Sequence, residues 1–374
     1  MQTEVLKIDR GSGSPDIRRR AADALREGRL VVFPTETVYG VGLSAASADG
    51  LVRLREIKGA AAAHCFTVHV GRRGDVVRFV PEVSPVARRL VEKGWPGPIT
   101  LLFRVDDPRR CPVVAELPPA GVEALYAAGA VGLRCPDDSF TADLLAEAGV
   151  PVVASSANRA GRPPPVTADE ALAELGGQVD LVLDGGRTRY GQPSTLVALN
   201  GRGYTVARPG VFDERTIRRI ATLTILFVCS GNTCRSPMAQ GLARRLLAER
   251  LGLGDAAAGD SAVQVLSAGT LGLAGGGPAP EAVEVCRQRG ADISGHRTVP
   301  LTADLVRSAD LIYGMTRAHI DAVAELVPAA RDRVRLLDEA GDIPDPLGGT
   351  FADYSACADR IAAALERRFQ EAPL

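Results

Sequence analysis

The segment from Cys229 to Pro237 places a thiol, a guanidinium group and a glycine in one short loop. Gly231 and Asn232 tolerate positive φ, so the loop can turn successive backbone N–H groups inward around a phosphate dianion. The positive end of a following helix favours the same anion, and it favours a Cys229 thiolate, which is the nucleophilic form of cysteine. The segment therefore predicts nucleophilic chemistry on a phosphoryl group.

Three further residues complete this chemistry. Ser236, followed by proline, suits the cap and first position of the helix. Arg235 can bind two phosphoryl oxygens and neutralise charge in the transition state. Asp345, in an Asp-Ile-Pro-Asp-Pro segment, is the candidate acid for the leaving group and then the base toward water.

The cysteines have two other interpretations. Cys229 and Cys234 could be inert thiols at the end of a core strand, as free cysteines usually are. That interpretation leaves the arginine, the glycine, the helix start and the distant Asp-Pro unexplained. A zinc site is disfavoured, because no second cysteine pair stands at ligand spacing, and we expect no metal.

The first half of the chain carries polar residues near the ends of predicted strands, where open α/β sheets bind ligands. Cations, hydroxyls and an amide that converge there would suit a nucleotide phosphate together with an amino acid. Each residue alone also has a simpler structural interpretation, such as a surface ion pair or a strand start. The candidates are Thr37, Lys58, His69, Arg134, Ser156, Asn158, Ser194 and Arg208.

The hydrophobic pattern indicates the elements that position these residues. In the second half, a buried run at 223–228 precedes helices and strands that alternate four times, which predicts a doubly wound four-stranded parallel sheet. In the first half, closely spaced late strands predict a mixed, twisted α/β sheet. We expect domains at 1–212 and 223–374, joined by a linker at 213–222 that contains a short helix.

Composition excludes several classes of protein. The 374 residues carry a net charge of −1, so a broad nucleic-acid or membrane surface is disfavoured. No apolar run is long enough for a membrane helix, and the first residues lack the apolar core of an export signal. Seven scattered cysteines argue against a disulfide framework. We therefore expect a cytoplasmic protein with reduced thiols and no membrane partner.

The second half resembles the low-molecular-weight protein tyrosine phosphatase family over nearly its whole length. The loop, Ser267-Ala268-Gly269-Thr270, Ile293-Ser294-Gly295-His296-Arg297, Met315-Thr316 and Asp345-Pro346 follow the family order. The resemblance implies Cys229 as nucleophile, Arg235 as phosphate clamp, Ser236 as hydrogen-bond donor to the thiolate and Asp345 as general acid. It implies no cofactor and a phosphate loop of Ser230, Gly231, Asn232, Thr233 and Cys234. Cys234 resembles the second loop cysteine that shields the nucleophile as a disulfide under oxidation.

The sequence leaves two substrate classes open, phosphotyrosine and phosphoarginine. Tyrosine phosphatases of the family usually carry aromatic residues after Asp-Pro, whereas this chain has Leu347-Gly348-Gly349-Thr350. That stretch and Thr233 resemble the bacterial protein-arginine phosphatase branch, although this branch often has Phe at the position of Leu347. Arsenate reduction needs a further close pair of cysteines, and Cys286 and Cys357 lie far apart in sequence.

Residues 5–212 resemble the threonylcarbamoyl-AMP synthase family, whose members condense L-threonine, bicarbonate and ATP. The resemblance implies ATP as substrate, with Mg²⁺, and a link to tRNA or to tRNA-modification proteins. It places two groups of side chains at the site. Threonine-side contacts would be Thr37, His69, Arg134 and Ser194, and nucleotide-side contacts would be Lys58, Ser156, Asn158 and Arg208.

One departure from that family concerns the segment after Lys58. The family has a second cation two residues later and prolines beyond it, whereas this chain has Ala60 and an alanine run that ends at His64. Alanine cannot bind a phosphate, and loss of one preorganised contact costs up to about 3–4 kcal/mol at a transition state. The first half is therefore either an active synthase, which would make the chain a bifunctional enzyme, or a catalytically impaired nucleotide- or RNA-binding module attached to the phosphatase.

Overall fold

The computed structural model describes residues 2–9, 13–59, 66–201, 203–251 and 263–371. The chain forms two compact units, Met1–Ala221 and Thr222–Leu374. Each unit has its own hydrophobic core. Among the described residues, no helix combines the length and the apolar character needed to cross a membrane.

The first unit is built on a ten-stranded mixed sheet with strand order β1-β8-β2-β3-β7-β4-β6-β5-β9-β10. Its strands are β1 (Glu4–Lys7), β2 (Val31–Phe33), β3 (Gly40–Ser44), β4 (Thr67–His69), β5 (Ile99–Arg104), β6 (Ala130–Arg134), β7 (Val152–Ser156), β8 (Leu181–Asp184), β9 (Thr195–Asn200) and β10 (Gly203–Arg208). Its helices are α1 (Pro15–Arg26), α2 (Ala48–Lys58), α3 (Pro85–Gly94), α4 (Pro119–Tyr126), α5 (Ser139–Ala148), α6 (Ala168–Leu175) and α7 (Glu214–Ala221). The predicted mixed α/β class is confirmed.

The second unit has a four-stranded sheet with strand order β12-β11-β13-β14, and all of its strand pairs are parallel. The strands are β11 (Leu223–Cys229), β12 (Val263–Gly269), β13 (Leu311–Gly314) and β14 (Val334–Leu336). The helices are α8 (Arg235–Leu251), α9 (Pro280–Gln288), α10 (Ala303–Ser308), α11 (Arg317–Leu326) and α12 (Phe351–Glu371). The predicted parallel sheet is confirmed.

The central strand β11 is buried along its whole length. Ile225 and Phe227 lie in the core that α8, α9 and α12 share, whereas Leu226 and Val228 lie in the core of α10 and α11. Alternate side chains thus face helix layers on both sides, which is why the strand reads as a continuous apolar run. The phosphate loop follows directly at its carboxyl end.

Two strands and two α-helices of the structure were not expected from the pattern: β1, β3, α4 and α10. In β3, a Cβ at Gly42 would lie 2.8 Å from the Val153 carbonyl oxygen and 3.1 Å from the Phe33 ring. Gly42 is therefore required by close packing in a strand, although glycine disfavours strands in isolation.

Helix α7 occupies most of the predicted linker at 213–222. Ile217 and Ile220 lie in the core of the first unit, and α7 packs on α3. The segment is thus structurally part of the first compact unit. The functional boundaries at 212 and 223 remain predictions.

Candidate active sites

Cys229 is the last residue of β11, where it pairs with Gly269 of β12. Residues 230–234 form the loop to α8, which begins at Arg235. The loop lies at the carboxyl end of a parallel sheet and at a helix N-terminus, two places that favour anion binding.

The Cys229 thiol is buried and held on two sides. Its Sγ lies 3.0 Å from the Oγ of Ser236 and accepts a hydrogen bond of 3.2 Å from the backbone N–H of Asn232. The backbone donor stabilises a negative sulfur, and the Ser236 hydroxyl lies where it can donate a second hydrogen bond to it. The structure therefore brings together the predicted nucleophile and the predicted donor to it.

Asn232 has a φ of 55°, so the positive φ expected in this loop falls on the asparagine. Its Nδ2 donates to Ser236 Oγ at 2.8 Å and to Ser267 Oγ at 2.9 Å. Its Oδ1 accepts from the backbone N–H of Val299 at 2.8 Å. These bonds hold the loop in its left-handed turn.

Arg235 is 4 % exposed and links the loop to the Asp-Pro segment. Its Nη1 donates to the Ile343 carbonyl at 3.1 Å, and its Nη2 donates to Ser230 Oγ at 3.3 Å. Nη2 also forms an ion pair with Asp345, whose side chain is 40 % exposed. The predicted clamp and the predicted acid are therefore in direct contact.

The remaining loop residues pack beside this centre. Thr233 accepts a backbone hydrogen bond from Ala279 at 3.0 Å, and its Oγ1 lies 3.5 Å from Cys234 Sγ. The Cys234 thiol is buried 3.4 Å from the Tyr354 hydroxyl, and burial raises its pKa. Cys229 and Cys234 are both free thiols, and their pairing under oxidation remains a prediction.

Three contact residues of this site were missed: Ser267, His319 and Tyr354. Ser267 and Thr316, which caps the helix of His319, stand inside the quoted family segments. Tyr354 stands on α12, and only the tertiary fold brings that helix to the loop.

In the first unit, His69 and Arg134 are register partners on the parallel strands β4 and β6. Arg134 is buried, and its Nη2 donates to Thr37 Oγ1 at 2.6 Å and to Glu36 Oε1 at 2.9 Å. Burial and the Arg134 charge lower the pKa of His69 to about 3, so its imidazole is neutral. Two of the threonine-side candidates, Thr37 and His69, thus lie at the guanidinium group of a third, Arg134.

The fourth candidate, Ser194, lies 2.8 Å from the Thr100 hydroxyl. Its carbonyl accepts a hydrogen bond of 2.9 Å from Arg208 Nη2. Burial and the neighbouring Arg134 charge lower the pKa of Arg208. Arg208 therefore lies beside the threonine-side group, although it was expected among the nucleotide contacts.

Lys58 joins the other nucleotide-side candidates. Its Nζ donates to the carbonyl oxygens of Ser156 at 2.9 Å and Asn158 at 2.7 Å. Burial lowers the pKa of Lys58 to about 8. The segment from Ala60 to Cys65, which contains the departure from the family pattern, lies outside the described residues.

Sequence reasoning missed Glu36 as a residue of this site, along with Thr35 and Thr100, whose hydroxyls contact Arg134 and Ser194. The Oε2 of Glu36 and the Nε of Arg134 are buried without a hydrogen-bond partner among the described residues. Buried polar atoms in native proteins are nearly always paired, so these two atoms are candidates for contact with a ligand. In the described parts of the chain, no cluster of His, Cys, Asp and Glu could hold a metal ion.

Comparisons with known proteins identify both units. Residues 23–210 match the Sua5/YciO/YrdC family, described as telomere recombination, and residues 224–372 match the low molecular weight phosphotyrosine protein phosphatase family. A protein-arginine-phosphatase of Bacillus subtilis is 37 % identical and aligns over 39 % of this chain and 93 % of its own length. The chain belongs to both families. It is a fusion of a Sua5/YrdC domain with a low-molecular-weight phosphatase domain.

Relatives of the Sua5/YrdC domain include a threonylcarbamoyl-AMP synthase of Pyrococcus abyssi, 30 % identical over 59 % of this chain and 62 % of its own length. The chain thus spans about three fifths of the first curated relatives' length. A solved Sua5 structure from the same organism is 20 % identical, with a TM-score of 0.50, and covers 89 % of this chain and 98 % of its own. That likeness concerns the fold alone.

Proposed function

We propose that the chain is a bifunctional enzyme whose phosphatase domain works through a phosphocysteine. The observation that carries the proposal is the buried Cys229 sulfur, which lies within hydrogen-bond distance of Ser236 and of the Asn232 backbone amide. A thiol placed at a helix N-terminus with an arginine beside it has the environment of a reactive thiolate. That chemistry needs no metal or cofactor.

The reaction has two steps. The Cys229 sulfur attacks phosphorus, a P–S bond forms, and the bond to the leaving group breaks as Asp345 donates a proton to it. Asp345 then takes a proton from water, the water oxygen attacks phosphorus, and the P–S bond breaks to release inorganic phosphate and the thiolate. The first step requires a protonated Asp345, so substrate binding must open its ion pair with Arg235: Asp345 takes up the proton that it then donates, and the Arg235 charge turns toward the phosphoryl oxygens.

The proposed substrates are phosphorylated proteins, and phosphoarginine is favoured over phosphotyrosine. Leu347, at the position after Asp-Pro, is 67 % exposed and offers no ring for stacking. The Bacillus subtilis relative is named a protein-arginine-phosphatase, which also favours phosphoarginine. Free thiols such as Cys229 and Cys234 stay reduced most readily in the cytoplasm, which favours that compartment.

The proposed activity of the first domain is synthesis of threonylcarbamoyl-AMP from L-threonine, bicarbonate and ATP. Arg134 and Arg208 would bind the threonine carboxylate, with Thr37, His69 and Ser194 around it. Lys58, held by Ser156 and Asn158, would meet the nucleotide phosphates of ATP, which enters as substrate with Mg²⁺. The product would supply tRNA modification.

The alternative for this domain is a nucleotide- or tRNA-binding module without synthesis, which Ala60 favours. Pyrophosphate release decides between them. We expect release that depends on both threonine and bicarbonate, and an Ala60→Arg variant that is faster than the parent. If the parent is inactive and the variant gains the activity, the binding-module interpretation is supported instead.

The phosphatase proposal is tested with matched phosphoarginine and phosphotyrosine peptides. We expect the parent to hydrolyse both, with a higher kcat/KM on phosphoarginine, and we expect Cys229→Ser to be inert. Steady turnover by Cys229→Ser would contradict the phosphocysteine. A strong preference for phosphotyrosine would overturn the substrate assignment alone.

A further inference from the structure

His319, in the first turn of α11, is held in one protonation state by its helix. Its Nδ1 accepts a hydrogen bond of 3.1 Å from the backbone N–H of Thr316 and lies 2.9 Å from the Thr316 hydroxyl. A backbone N–H can only donate, so Nδ1 carries no proton. The proton of the neutral ring therefore resides on Nε2.

The protonated Nε2 points at the phosphate loop. It lies 3.0 Å from Ser230 Oγ and donates to it. Ser230 Oγ also receives a hydrogen bond of 3.3 Å from Arg235 Nη2. A hydroxyl oxygen has two acceptor positions, and both are thereby used. The Ser230 proton must then point away from both donors, which leaves it available to an incoming acceptor.

The neutral state of His319 supports this arrangement. The side chain is 4 % exposed, and burial together with the Arg235 charge lowers the pKa of His319 to about 4. At pH 7 the ring thus adds a directed N–H without adding a charge beside Arg235.

We propose that His319 is a positioning residue of the phosphatase site: it fixes the Ser230 hydroxyl as a donor to the phosphoryl oxygens. The proposal rests on the function proposed for this domain. It adds a side-chain donor to the backbone N–H groups of the loop, and it links that donor to Arg235 and Asp345 through one guanidinium group.

Two substitutions of His319 separate positioning from structural support. In His319→Asn, the short amide can replace Nδ1 toward Thr316 but cannot reach Ser230. In His319→Gln, the longer amide can replace the Nε2 donor. We expect His319→Asn to weaken binding of inorganic phosphate about tenfold and to lower kcat/KM on para-nitrophenyl phosphate similarly, as loss of one such hydrogen bond allows. We expect His319→Gln to stay within about threefold of the parent.

A double-mutant cycle in the full chain gives the decisive readout. Ser230→Ala alone should weaken phosphate binding about as much as His319→Asn, and His319→Asn should have almost no further effect in that background. If the two losses multiply, or if His319→Gln is as weak as His319→Asn, the proposal is overturned. Thr302→Ala, which removes the cap of α10, controls for a loss of stability elsewhere in the domain.

Phosphate affinity, measured by titration calorimetry, keeps this test separate from the test of the proposed function. If the parent hydrolyses no phosphopeptide, but the double-mutant cycle still shows that His319 and Ser230 are coupled in phosphate binding, only the phosphatase proposal is overturned. Turnover that requires Cys229, together with unchanged phosphate affinity in His319→Asn, would overturn only the positioning role.

Discussion

The two predicted anion sites hold their cations in different ways. Arg235 in the phosphatase domain is a planar guanidinium group whose fork is held by the Ile343 carbonyl and by Ser230. Lys58 in the Sua5/YrdC domain is an ammonium group whose hydrogen bonds go to carbonyl oxygens, and burial lowers its pKa to about 8. Its charge therefore depends on pH near neutrality.

This difference predicts a pH-dependent affinity for ATP in the first domain. Lys58 is charged below pH 8 and loses its proton as the pH rises through that value, so attraction to the phosphates decreases. We expect the Kd for ATP to rise by up to about tenfold between about pH 7 and 9, as measured by calorimetry. His69 does not titrate in this range, because its pKa is about 3.

Lys58→Arg is the matched control, since arginine keeps its charge over the whole range. The pH dependence of the Kd should flatten in this variant. An equally steep dependence in Lys58→Arg would show that another group carries the effect.

Glu36 shows what residue types alone do not reveal. The sequence predicted Thr37 and Arg134 as site residues. The Glu36 carboxylate is recognised as part of the site only in the folded structure, where it contacts Arg134. The Glu36–Arg134 pair is almost fully buried, with side chains 1 % and 6 % exposed. Such pairs are costly to desolvate and are weak evidence for stability, and the two unpaired atoms of this pair support the ligand site proposed for the domain.

At the scale of elements, the strand–loop–helix unit at 223–251 was the most predictable part of the chain. Its signals are local: a continuous apolar run, residues that tolerate positive φ, and a Ser-Pro pair near the helix start. The predicted cap position was wrong, because α8 begins at Arg235 and Ser236 lies in its first turn, where its Oγ contacts the Cys229 sulfur. By contrast, β3 contains glycines that only its neighbours require, and the contact between His319 and Ser230 joins residues 89 positions apart. Local pattern cannot predict features whose cause is a distant packing partner.

The loop geometry predicts an order of stability for variants of Asn232. Both Asn232→Gly and Asn232→Ala lose the side-chain bonds and leave the Val299 N–H without its partner, at about 1–3 kcal/mol. Glycine accepts a φ of 55°, whereas alanine there is strained by about 1–2 kcal/mol. We expect urea unfolding to rank Asn232→Ala as the less stable variant.

Ser267→Ala, which removes one of the Asn232 partners, should destabilise the domain less than either of these variants. If Asn232→Gly and Asn232→Ala are equally stable, the left-handed conformation does not limit this position.

At the scale of the whole molecule, the chain combines two sheets with separate cores. Leu133 belongs to the core of the first unit, and Ile361 belongs to that of the second. The resemblance to two families predicted this division, because each family segment is long enough to bury its own core. The assignment of α7 to the first unit depended on which core covers Ile217, which periodicity alone leaves open.

Separate cores predict two unfolding transitions in calorimetry of the full chain. Leu133→Ala and Ile361→Ala each remove a fully buried side chain, at about 2–5 kcal/mol. Because each kcal/mol of destabilisation lowers the Tm by about 2–4 °C, we expect the Tm of the affected unit to fall by roughly 5–15 °C. The other transition should stay in place, because the cavity lies in a different core. A single transition that moves with either substitution would show that the units unfold as one, and the two proposed activities would then be lost together on heating.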